Sequence, residues 1–302
     1  MSFFRYPGGK SKVREEISKH LNIYSQKVDL EYREPFFGGG SIGLNFVSDN
    51  PNWKNIWIND KDIGVSSLWT ALIQYPEELK QMIQEFVPSI EIFDQYKSDL
   101  TNIFLTCKSK SEIVECGFKK LAIHQTSYSG LGTKSGGPLG GRDQKKYKID
   151  CRWSPDYICK KIDKIHKQFE TIQFKNECCT NVDFAYLIKS KKESLLYLDP
   201  PYYVKGKDMY QFSFSEMDHK RLACHLEYCN HPWILSYDDC SQIRSLYDWA
   251  VIDTISINYT ITGTKDKESG KRLARTKPEL LIYSKKHKDF LDLSNSISSE
   301  IN

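Results

Sequence analysis

The sequence predicts an α/β protein with a largely parallel sheet, because strand-like segments alternate with helical patterns along the chain. Short apolar runs rich in β-branched or aromatic residues indicate the strands. Apolar residues that recur every three or four positions indicate the helices between them. The predicted strands cover residues 28–34, 56–59, 194–198, 233–236, 251–257 and 279–283.

Two helical patterns are regular enough to show which side faces the core. Residues 77–87 carry one apolar stripe and residues 217–229 carry another. Spacings of three and four residues place each stripe on a single helix face. The stripes consist of Leu79, Met82, Ile83 and Phe86 in the first helix, and of Leu222, His225, Leu226 and Cys229 in the second.

The region from residue 66 to residue 175 differs from the rest, because it is mostly helical in pattern and carries a glycine-rich segment at 127–141. We expect residues 66–175 to form an inserted second domain. Residues 1–65 and 176–302 would then form the sheet-containing domain. The serine-rich tail after Lys288 is predicted to be frayed.

Composition excludes several classes of protein. A chain of 302 residues with 39% hydrophobic and 27% charged residues can bury a substantial core, which argues against disorder. The mean hydropathy is −0.54, and no apolar run approaches the ~18 residues of a membrane span. Nine cysteines form no C-x-x-C pair, so neither a zinc ribbon nor a disulfide framework is indicated. We expect a cytoplasmic protein that does not associate with membranes.

The net charge of +4, from 43 basic and 39 acidic residues, is too small to argue for a nucleic-acid partner by itself. Basic residues cluster at 134–148, 160–167 and 265–277, where they could follow a phosphate backbone. A solvated lysine-rich surface explains any one of these clusters about as well.

A glycine-rich loop at residues 34–41 follows the first predicted strand and precedes a helical pattern at 42–47. Glycines allow a sharp turn and a close approach of the backbone to a ligand at a helix N-terminus. Asp60 ends the next strand, where an acidic residue meets ribose hydroxyls in nucleotide-binding βαβ units. The loop lacks the G-x-G-x-x-G spacing, which disfavours a nicotinamide cofactor. An ordinary glycine-rich turn is the alternative.

The N-terminal segment at residues 5–11 contains Gly9, Lys10 and Ser11, which match the end of a phosphate-binding loop. Phe4 occupies the position of the first glycine that such a loop requires, so phosphoryl transfer loses its main support. What remains is an aromatic residue, two glycines and a lysine, which could cover a ligand and pair with its carboxylate.

The most informative segment is the strand at 194–198 followed by Asp199, Pro200, Pro201 and Tyr202. The strand delivers Asp199 to its carboxyl end, and the prolines fix the direction of the carboxylate and of the Pro200 carbonyl. Two acceptors beside an aromatic ring suit a planar amine, which donates two hydrogen bonds while its ring stacks. A rigid loop after an acidic strand end is the alternative.

These three segments, in this order, resemble the motifs of Dam-type (alpha-class) adenine-specific DNA methyltransferases. That family has an N-terminal aromatic-x-Gly-Gly-Lys motif, a glycine-rich cofactor loop and a catalytic D-P-P-Y, matched here at 6–10, 34–40 and 199–202. Asp183 and Phe184 are similar to the family's Asp-Phe pair that contacts the cofactor adenine. The resemblance implies a Rossmann-like S-adenosylmethionine-dependent methyltransferase sheet, with an inserted, mostly helical target-recognition domain.

The resemblance also implies methyl transfer from S-adenosylmethionine to the exocyclic N6 amine of a flipped-out adenine in double-stranded DNA. Acceptors beside the amine would favour a tetrahedral nitrogen aligned with the methyl group, and no metal is needed. Catalysis is assigned to Asp199, Pro200, Pro201 and Tyr202, and Tyr202 would stack on the flipped base. Cofactor binding is assigned to Tyr6, Pro7, Lys10, Phe36, Gly38, Gly40, Asp60, Asp183, Phe184 and Asp199.

The inserted region is expected to contact DNA through its segment at 124–142. Family members that read GATC carry Tyr-Asn-Gly-Leu-x-Arg, whereas this chain has Ser129 and Thr133 in place of the asparagine and the arginine. We therefore expect a site that departs from GATC, while Lys134 or Arg142 could contact guanine instead. A loop that contacts only phosphates is the alternative. The DNA-contact candidates are Tyr128, Ser129, Thr133, Lys134 and Arg142.

Other readings of the same motifs stay open at this point. D-P-P-Y describes an amine pocket, so cytosine N4 or an RNA base is an alternative substrate. A catalytically silent DNA-binding regulator is a second alternative. We expect a monomer in solution whose partner is double-stranded DNA, and any cognate restriction endonuclease would act separately.

Overall fold

A computed structural model describes residues 2–8, 10, 13–102, 109–172, 178–204, 212–259 and 275–300. Within these residues the strands form one seven-stranded sheet in the order β3-β2-β1-β4-β5-β7-β6. The first five strands in this order are parallel, and β7 is antiparallel to both of its neighbours. The strands are β1 (Glu31–Glu34), β2 (Ile56–Asn59), β3 (Cys179–Thr180), β4 (Ser194–Leu198), β5 (Trp233–Asp238), β6 (Val251–Tyr259) and β7 (Arg275–Tyr283).

The sheet confirms the predicted α/β class and its Rossmann-like arrangement. The chain passes outward from β1 to β2, and later returns to place β4 on the other side of β1. Such a reversal leaves a crevice beyond the carboxyl ends of the strands, which is where ligands bind in open α/β sheets. The loops after β1, β2 and β4 therefore meet at one edge.

Strand prediction was accurate for β2 and β4 and less so for the other strands. The strands predicted at 56–59 and 194–198 match β2 and β4. The strand predicted at 28–34 begins later, because residues 28–30 lie in a turn before β1, where Leu30 N–H donates to the Lys27 carbonyl. Strands β5, β6 and β7 are longer than predicted. The prediction missed β3, whose two residues are too few to show a pattern.

The helices divide into those that flank the sheet and those of the inserted region. The described residues between 66 and 172 are mostly helical, as expected, and carry short 3₁₀ turns at Tyr128–Gly130 and Gly132–Lys134. The basic cluster predicted at 265–277 lies mostly outside the described residues. The helices are α1 (Arg14–Asn22), α2 (Gly43–Asp49), α3 (Ile63–Gln74), α4 (Pro76–Glu85), α5 (Ile90–Thr101), α6 (Lys110–Thr126), α7 (Pro155–Phe169), α8 (Phe184–Lys189), α9 (Glu216–Glu227), α10 (Ser241–Leu246) and α11 (Lys285–Glu300).

Local chemistry explains where the predicted helices begin. Helix α9 starts one residue before the predicted range, because Ser215 and Asp218 form a capping box. Helix α4 starts at Pro76, a residue well suited to a first turn. The frayed tail was a wrong prediction: residues 285–300 form α11, and its Phe290 stacks on Tyr24, in the turn after α1, with ring centroids 4.6 Å apart.

Side chains alternate between two hydrophobic clusters on opposite faces of the sheet. Along β4, Leu195 and Tyr197 point into one cluster, and Leu196 and Leu198 point into the other. This follows from the two-residue period of a strand. Helices α1, α2 and α3 cover the first face, and α8, α9 and α10 cover the second.

Helix α3 joins the sheet to the inserted region. Trp69 on this helix donates an indole hydrogen bond of 2.8 Å to the Gly38 carbonyl in the loop after β1. The same helix packs closely on α6, where a Cβ added to Gly117 would lie 2.6 Å from the Leu68 Cα. The expected domain boundary after residue 65 falls inside α3, and the two-domain division stays a prediction.

We expect Gly117→Ala to destabilise the protein by about 1–3 kcal/mol, because the new methyl group overpacks the α3–α6 contact. The higher helix propensity of alanine, worth about 1 kcal/mol, opposes this effect, so a stabilised variant would contradict the packing. Urea unfolding measures the difference. Gly136→Ala is the matched control, because an added Cβ there meets nothing within 4 Å.

Candidate active site

A cleft of about 380 Å³ lies at the carboxyl edge of the sheet, between the loops that follow β1, β2 and β4. Its lining includes most residues that the sequence assigned to cofactor binding. Gly9 of the N-terminal motif is outside the described residues. The assigned residues in the lining are Tyr6, Pro7, Phe36, Gly38, Asp60, Asp183, Phe184, Asp199 and Pro201, whereas Lys10, Gly40, Pro200 and Tyr202 lie outside it.

Gly38, in the loop after β1, contacts both Tyr6 of the N-terminal segment and Asp60 after β2. Its φ is +49°, and a Cβ there would lie 2.7 Å from the Tyr6 ring, so glycine is required both by conformation and by space. The Gly38 N–H donates to Asp60 Oδ2 at 2.8 Å. The loop after β1 is thereby tied to the carboxylate that follows β2.

Asp60 accepts hydrogen bonds from the backbone N–H groups of Gly38 and Asp62, at 2.8 and 2.9 Å. Burial and the neighbouring charge of Asp62 raise the pKa of Asp60 to about 7, although the two N–H groups oppose the rise. Its charge therefore changes near neutral pH.

Gly40 shapes the loop without lining the cleft. Its φ is +70°, its N–H donates to the Phe37 carbonyl at 2.8 Å, and a Cβ there would lie 2.8 Å from the Trp69 ring. The loop can turn toward α2 only because position 40 has no side chain.

The N-terminal segment, residues 2–8, lies between the glycine-rich loop and the inserted region. Phe3 N–H and the Ser2 hydroxyl both donate to the Gly39 carbonyl. On the opposite side, the Arg5 guanidinium donates to the carbonyls of Gln125 and Ser127 at 3.3 and 3.1 Å. This segment therefore contacts both parts of the molecule at once.

Lys10 lies behind the catalytic motif rather than in the cleft lining. Its side chain is only 4% exposed, and its Nζ is 2.8 Å from Asp199 Oδ1 and 2.5 Å from the Tyr202 hydroxyl. Burial raises the pKa of Asp199 to about 6, and the Lys10 ammonium limits that rise. The expectation that Lys10 faces a cofactor carboxylate thus differs from its position here.

The loop after Tyr202 is fixed by a residue that the sequence analysis did not identify. The backbone N–H groups of Tyr203 and Val204 donate to the two carboxylate oxygens of Asp238, each at 3.0 Å. Asp238 ends β5 as Asp199 follows β4. The position of Asp238 at the end of a strand, like that of Asp60 and Asp199, could therefore have identified it from the sequence as a site residue.

An aromatic wall closes the cleft on the α8–α9 side. The rings of Phe36, Phe184 and Phe214 lie 5.6–5.7 Å apart. Arg221 on α9 lies over the Phe184 ring at 4.4 Å and pairs with Asp183 Oδ2 at 2.6 Å. Asp183 also caps α8, since its Oδ1 accepts from Ala185 N–H. Nothing in the sequence indicated Arg221.

Four of the five DNA-contact candidates are exposed, and one of these four, Arg142, makes a surface ion pair. Tyr128 is 61% exposed, and Ser129 and Lys134 are also exposed on the loop of 3₁₀ turns, whereas Thr133 is half-buried. Arg142 makes two 2.8 Å hydrogen bonds to the two carboxylate oxygens of Asp94. Its guanidinium is therefore engaged within the inserted region.

His124 on α6 joins the N-terminal segment to this loop. The ring is 3% exposed and lies 5.3 Å from the Tyr6 ring. Its Nδ1 donates to the Gly130 carbonyl at 2.8 Å, because a carbonyl can only accept. Burial lowers the pKa of His124 to about 3, so the ring is neutral at pH 7.

In the described part of the chain, no group of three or more His, Cys, Asp or Glu side chains is arranged to hold a metal ion. None of the helices described is both long enough and apolar enough to cross a membrane.

Comparison with known families gives one match, which covers most of the chain. The family model described as D12 class N6 adenine-specific DNA methyltransferase matches residues 6–261. These residues include the N-terminal motif at 6–10, the glycine-rich loop, the inserted region and the D-P-P-Y motif. No curated protein matches the chain.

We expect the stability advantage of the wild type over His124→Asn to shrink by about 2 kcal/mol between pH 7 and pH 5. His124 takes up a proton near pH 6.5 when unfolded but only near pH 3 when folded, so its contribution is present above pH 6.5 and is lost as the pH falls toward 3. Asparagine can still donate to Gly130 and does not titrate. Urea unfolding measures both proteins. The difference should stay constant between pH 7 and pH 8, and a constant difference down to pH 5 would contradict the burial of a neutral ring.

Proposed function

This chain belongs to the D12 class of N6 adenine-specific DNA methyltransferases, and we propose that its cleft binds S-adenosylmethionine beside a pocket for the flipped adenine. The family identifies adenine N6 in DNA as the methylated atom, which removes cytosine N4 and RNA bases as alternatives. It is also a family of enzymes, which argues against a silent regulator. The observation that carries the proposed roles is the ion pair between buried Lys10 and half-buried Asp199 at the edge of the cleft.

The cleft fits S-adenosylmethionine in size and in the chemistry of its walls. Its volume is within the ~300–1,000 Å³ usual for small-molecule sites. The wall of Phe36, Phe184 and Phe214 suits an adenine ring, with Asp183 at its edge to accept from the ring's amine. Asp60 suits the ribose hydroxyls, because a carboxylate has about four acceptor sites and the N–H groups of Gly38 and Asp62 occupy only two of them. When bound, the cofactor supplies an electrophilic methyl group on a sulfonium.

Asp199 and the Pro200 carbonyl accept hydrogen bonds from the adenine amine. Lys10 holds Asp199 Oδ1, which leaves the second carboxylate oxygen to face the amine. The Lys10 charge also keeps a buried carboxylate ionised, and only the ionised form has both oxygens as acceptors. Lys10 thus acts on Asp199 in place of the expected contact with the methionine carboxylate.

The ionised Asp199 carboxylate and the Pro200 carbonyl change the reactivity of the adenine amine. Its lone pair is delocalised into the ring, and two acceptors favour a tetrahedral nitrogen whose lone pair is free to attack. Prepositioned acceptors of this kind act mainly by alignment and electrostatics. The Tyr202 ring stacks on the base, which offsets part of the few kcal/mol that flipping costs.

The loop of 3₁₀ turns faces DNA through Tyr128, Ser129 and Lys134, whose exposure supports this role. Arg142 can contact a base only when its ion pair with Asp94 breaks. Lys134 is therefore the better candidate for a guanine contact. With serine and threonine at 129 and 133, the preferred site departs from GATC. The chain acts as a monomer, and any cognate restriction endonuclease acts separately.

Asp199→Asn should lower the single-turnover rate of methyl transfer by about 10²–10³-fold, because it removes a charged acceptor from the transition state. DNA binding should be unchanged, since Asp199 does not face the backbone. Labelled methyl transfer to duplex DNA, followed by nucleoside analysis for N6-methyladenine, measures the rate. Asp292→Asn on α11 is the control for loss of a carboxylate, and activity of Asp199→Asn within tenfold of wild type would refute the assignment.

Binding of S-adenosylmethionine should tighten by up to about tenfold between pH 6 and pH 8, because ribose hydroxyls donate more strongly to an ionised carboxylate than to a protonated one, and the pKa of Asp60 in the free protein is about 7. Asp60→Asn should bind more weakly at pH 8 and lose most of this pH dependence. Isothermal titration measures both. Asp143→Asn, an exposed change in the inserted region, should behave as wild type, and an equal pH dependence in Asp60→Asn would exclude the ribose contact.

A further inference from the structure

We propose that Glu279 is a positioning residue for methyl transfer, which orients Asp199 through Tyr202 and Lys10. The inference rests on the function proposed above, because it assumes that Asp199 accepts from the adenine amine. It deepens that function by adding a carboxylate from β7, outside the matched residues 6–261.

Sheet topology brings Glu279 to the site. Strand β7 is antiparallel to β5, and Glu279 pairs in register with Asp238 at the carboxyl end of β5. An antiparallel strand presents its beginning where parallel strands end, so Glu279 joins Asp199 and Asp238 at the same edge. The parallel strands and the terminal hairpin thus both contribute acidic groups to one place.

A continuous chain of hydrogen bonds links Glu279 to Asp199. The Tyr202 hydroxyl donates to Glu279 Oε2 at 2.9 Å. Lys10 Nζ donates to the Tyr202 oxygen at 2.5 Å and contacts Asp199 Oδ1 at 2.8 Å. The ammonium also lies 4.3 Å from the centre of the Tyr202 ring.

The chemistry of the four groups fixes the direction of this chain. An ammonium only donates and a carboxylate only accepts, whereas a hydroxyl has a single hydrogen. Because Glu279 takes that hydrogen, the Tyr202 oxygen presents a lone pair to Lys10. Without Glu279 the hydroxyl could turn its hydrogen toward Asp199 and compete with both Lys10 and the amine. Glu279 therefore positions Lys10 against Asp199 and the ring of Tyr202 beside them.

Three variants test the chain in single-turnover methyl transfer at pH 8. Glu279→Ala should lower the rate about tenfold to a hundredfold, with unchanged affinity for S-adenosylmethionine and DNA, because misplaced groups cost rate rather than binding. Tyr202→Phe keeps the stacking ring and should show a similar loss. The double variant should be no slower than the slower single variant, because both changes break the same chain.

Glu279→Gln keeps a hydrogen-bond acceptor at position 279 and removes its negative charge. The amide oxygen still accepts from Tyr202, so the rate at pH 8 should stay within about threefold of wild type. The Glu279 charge contributes to the raised pKa of Asp199, so its removal should move the acid limb of the pH–rate profile to lower pH. A Glu279 carboxylate that does not face the Lys10–Asp199 pair would leave that limb in place. This variant also tests the inference if Glu279→Ala does not fold.

Asp253→Asn is the matched control, because Asp253 accepts from the Tyr283 hydroxyl at 2.6 Å in the same hairpin, away from the cleft. It should affect neither rate nor pH profile. Multiplicative losses in the double variant, or a Glu279→Ala rate within twofold of wild type, would overturn the inference. If Asp199→Asn is inactive in the same assay, those outcomes refute the positioning role alone, whereas an active Asp199→Asn refutes the proposed function itself.

Discussion

The ion pair between Lys10 and Asp199 is the constraint on which the carboxyl edge of the sheet depends. Five acidic residues gather there: Glu34, Asp60, Asp199, Asp238 and Glu279. Removing one partner of a buried pair costs about 3–5 kcal/mol, because the remaining charge is left without compensation. Glu34 shows what happens to a buried carboxyl group that has no cation beside it among the described residues: burial raises the pKa of Glu34 well above its usual value. Lys10 is what allows Asp199 to stay charged in the same environment.

The position of Lys10 depends in turn on two glycines and a tryptophan. Gly38 leaves room for Tyr6, and Gly40 leaves room for Trp69, so the N-terminal segment and α3 both pack on the loop after β1. A second buried pair, Lys120 with Asp62, fixes the first turn of α3 against α6. The cleft, the N-terminal segment and the inserted region are thus connected through α3 and α6. The loop of 3₁₀ turns follows directly from the end of α6.

Features encoded within a few residues could be predicted from the sequence, and features that join distant residues could not. The periodicity of β2 and β4, and the three motifs, are local. They sufficed to predict the fold class, and most of the residues that they assign to cofactor binding lie in the cleft lining. Arg221, His124 and Glu279 escaped notice because each acquires its role from a contact with another part of the chain. The pairing of Arg142 with Asp94, 48 positions apart, is invisible for the same reason. Strand β3 was missed because two residues carry no period.

The N-terminal segment has a consequence for the order in which the molecule folds. Its contacts, and those of Lys10 shortly after it, join distant parts of the chain: 122 positions separate Arg5 from Ser127, and 192 separate Lys10 from Tyr202. Contacts of such separation form late, because closing long loops costs entropy that only the surrounding structure offsets. Arg5 and Lys10 therefore reach their final contacts late, once β4 and its loop are in place. A partly folded chain holds no paired Asp199, so catalytic competence arises only with completion of the tertiary structure.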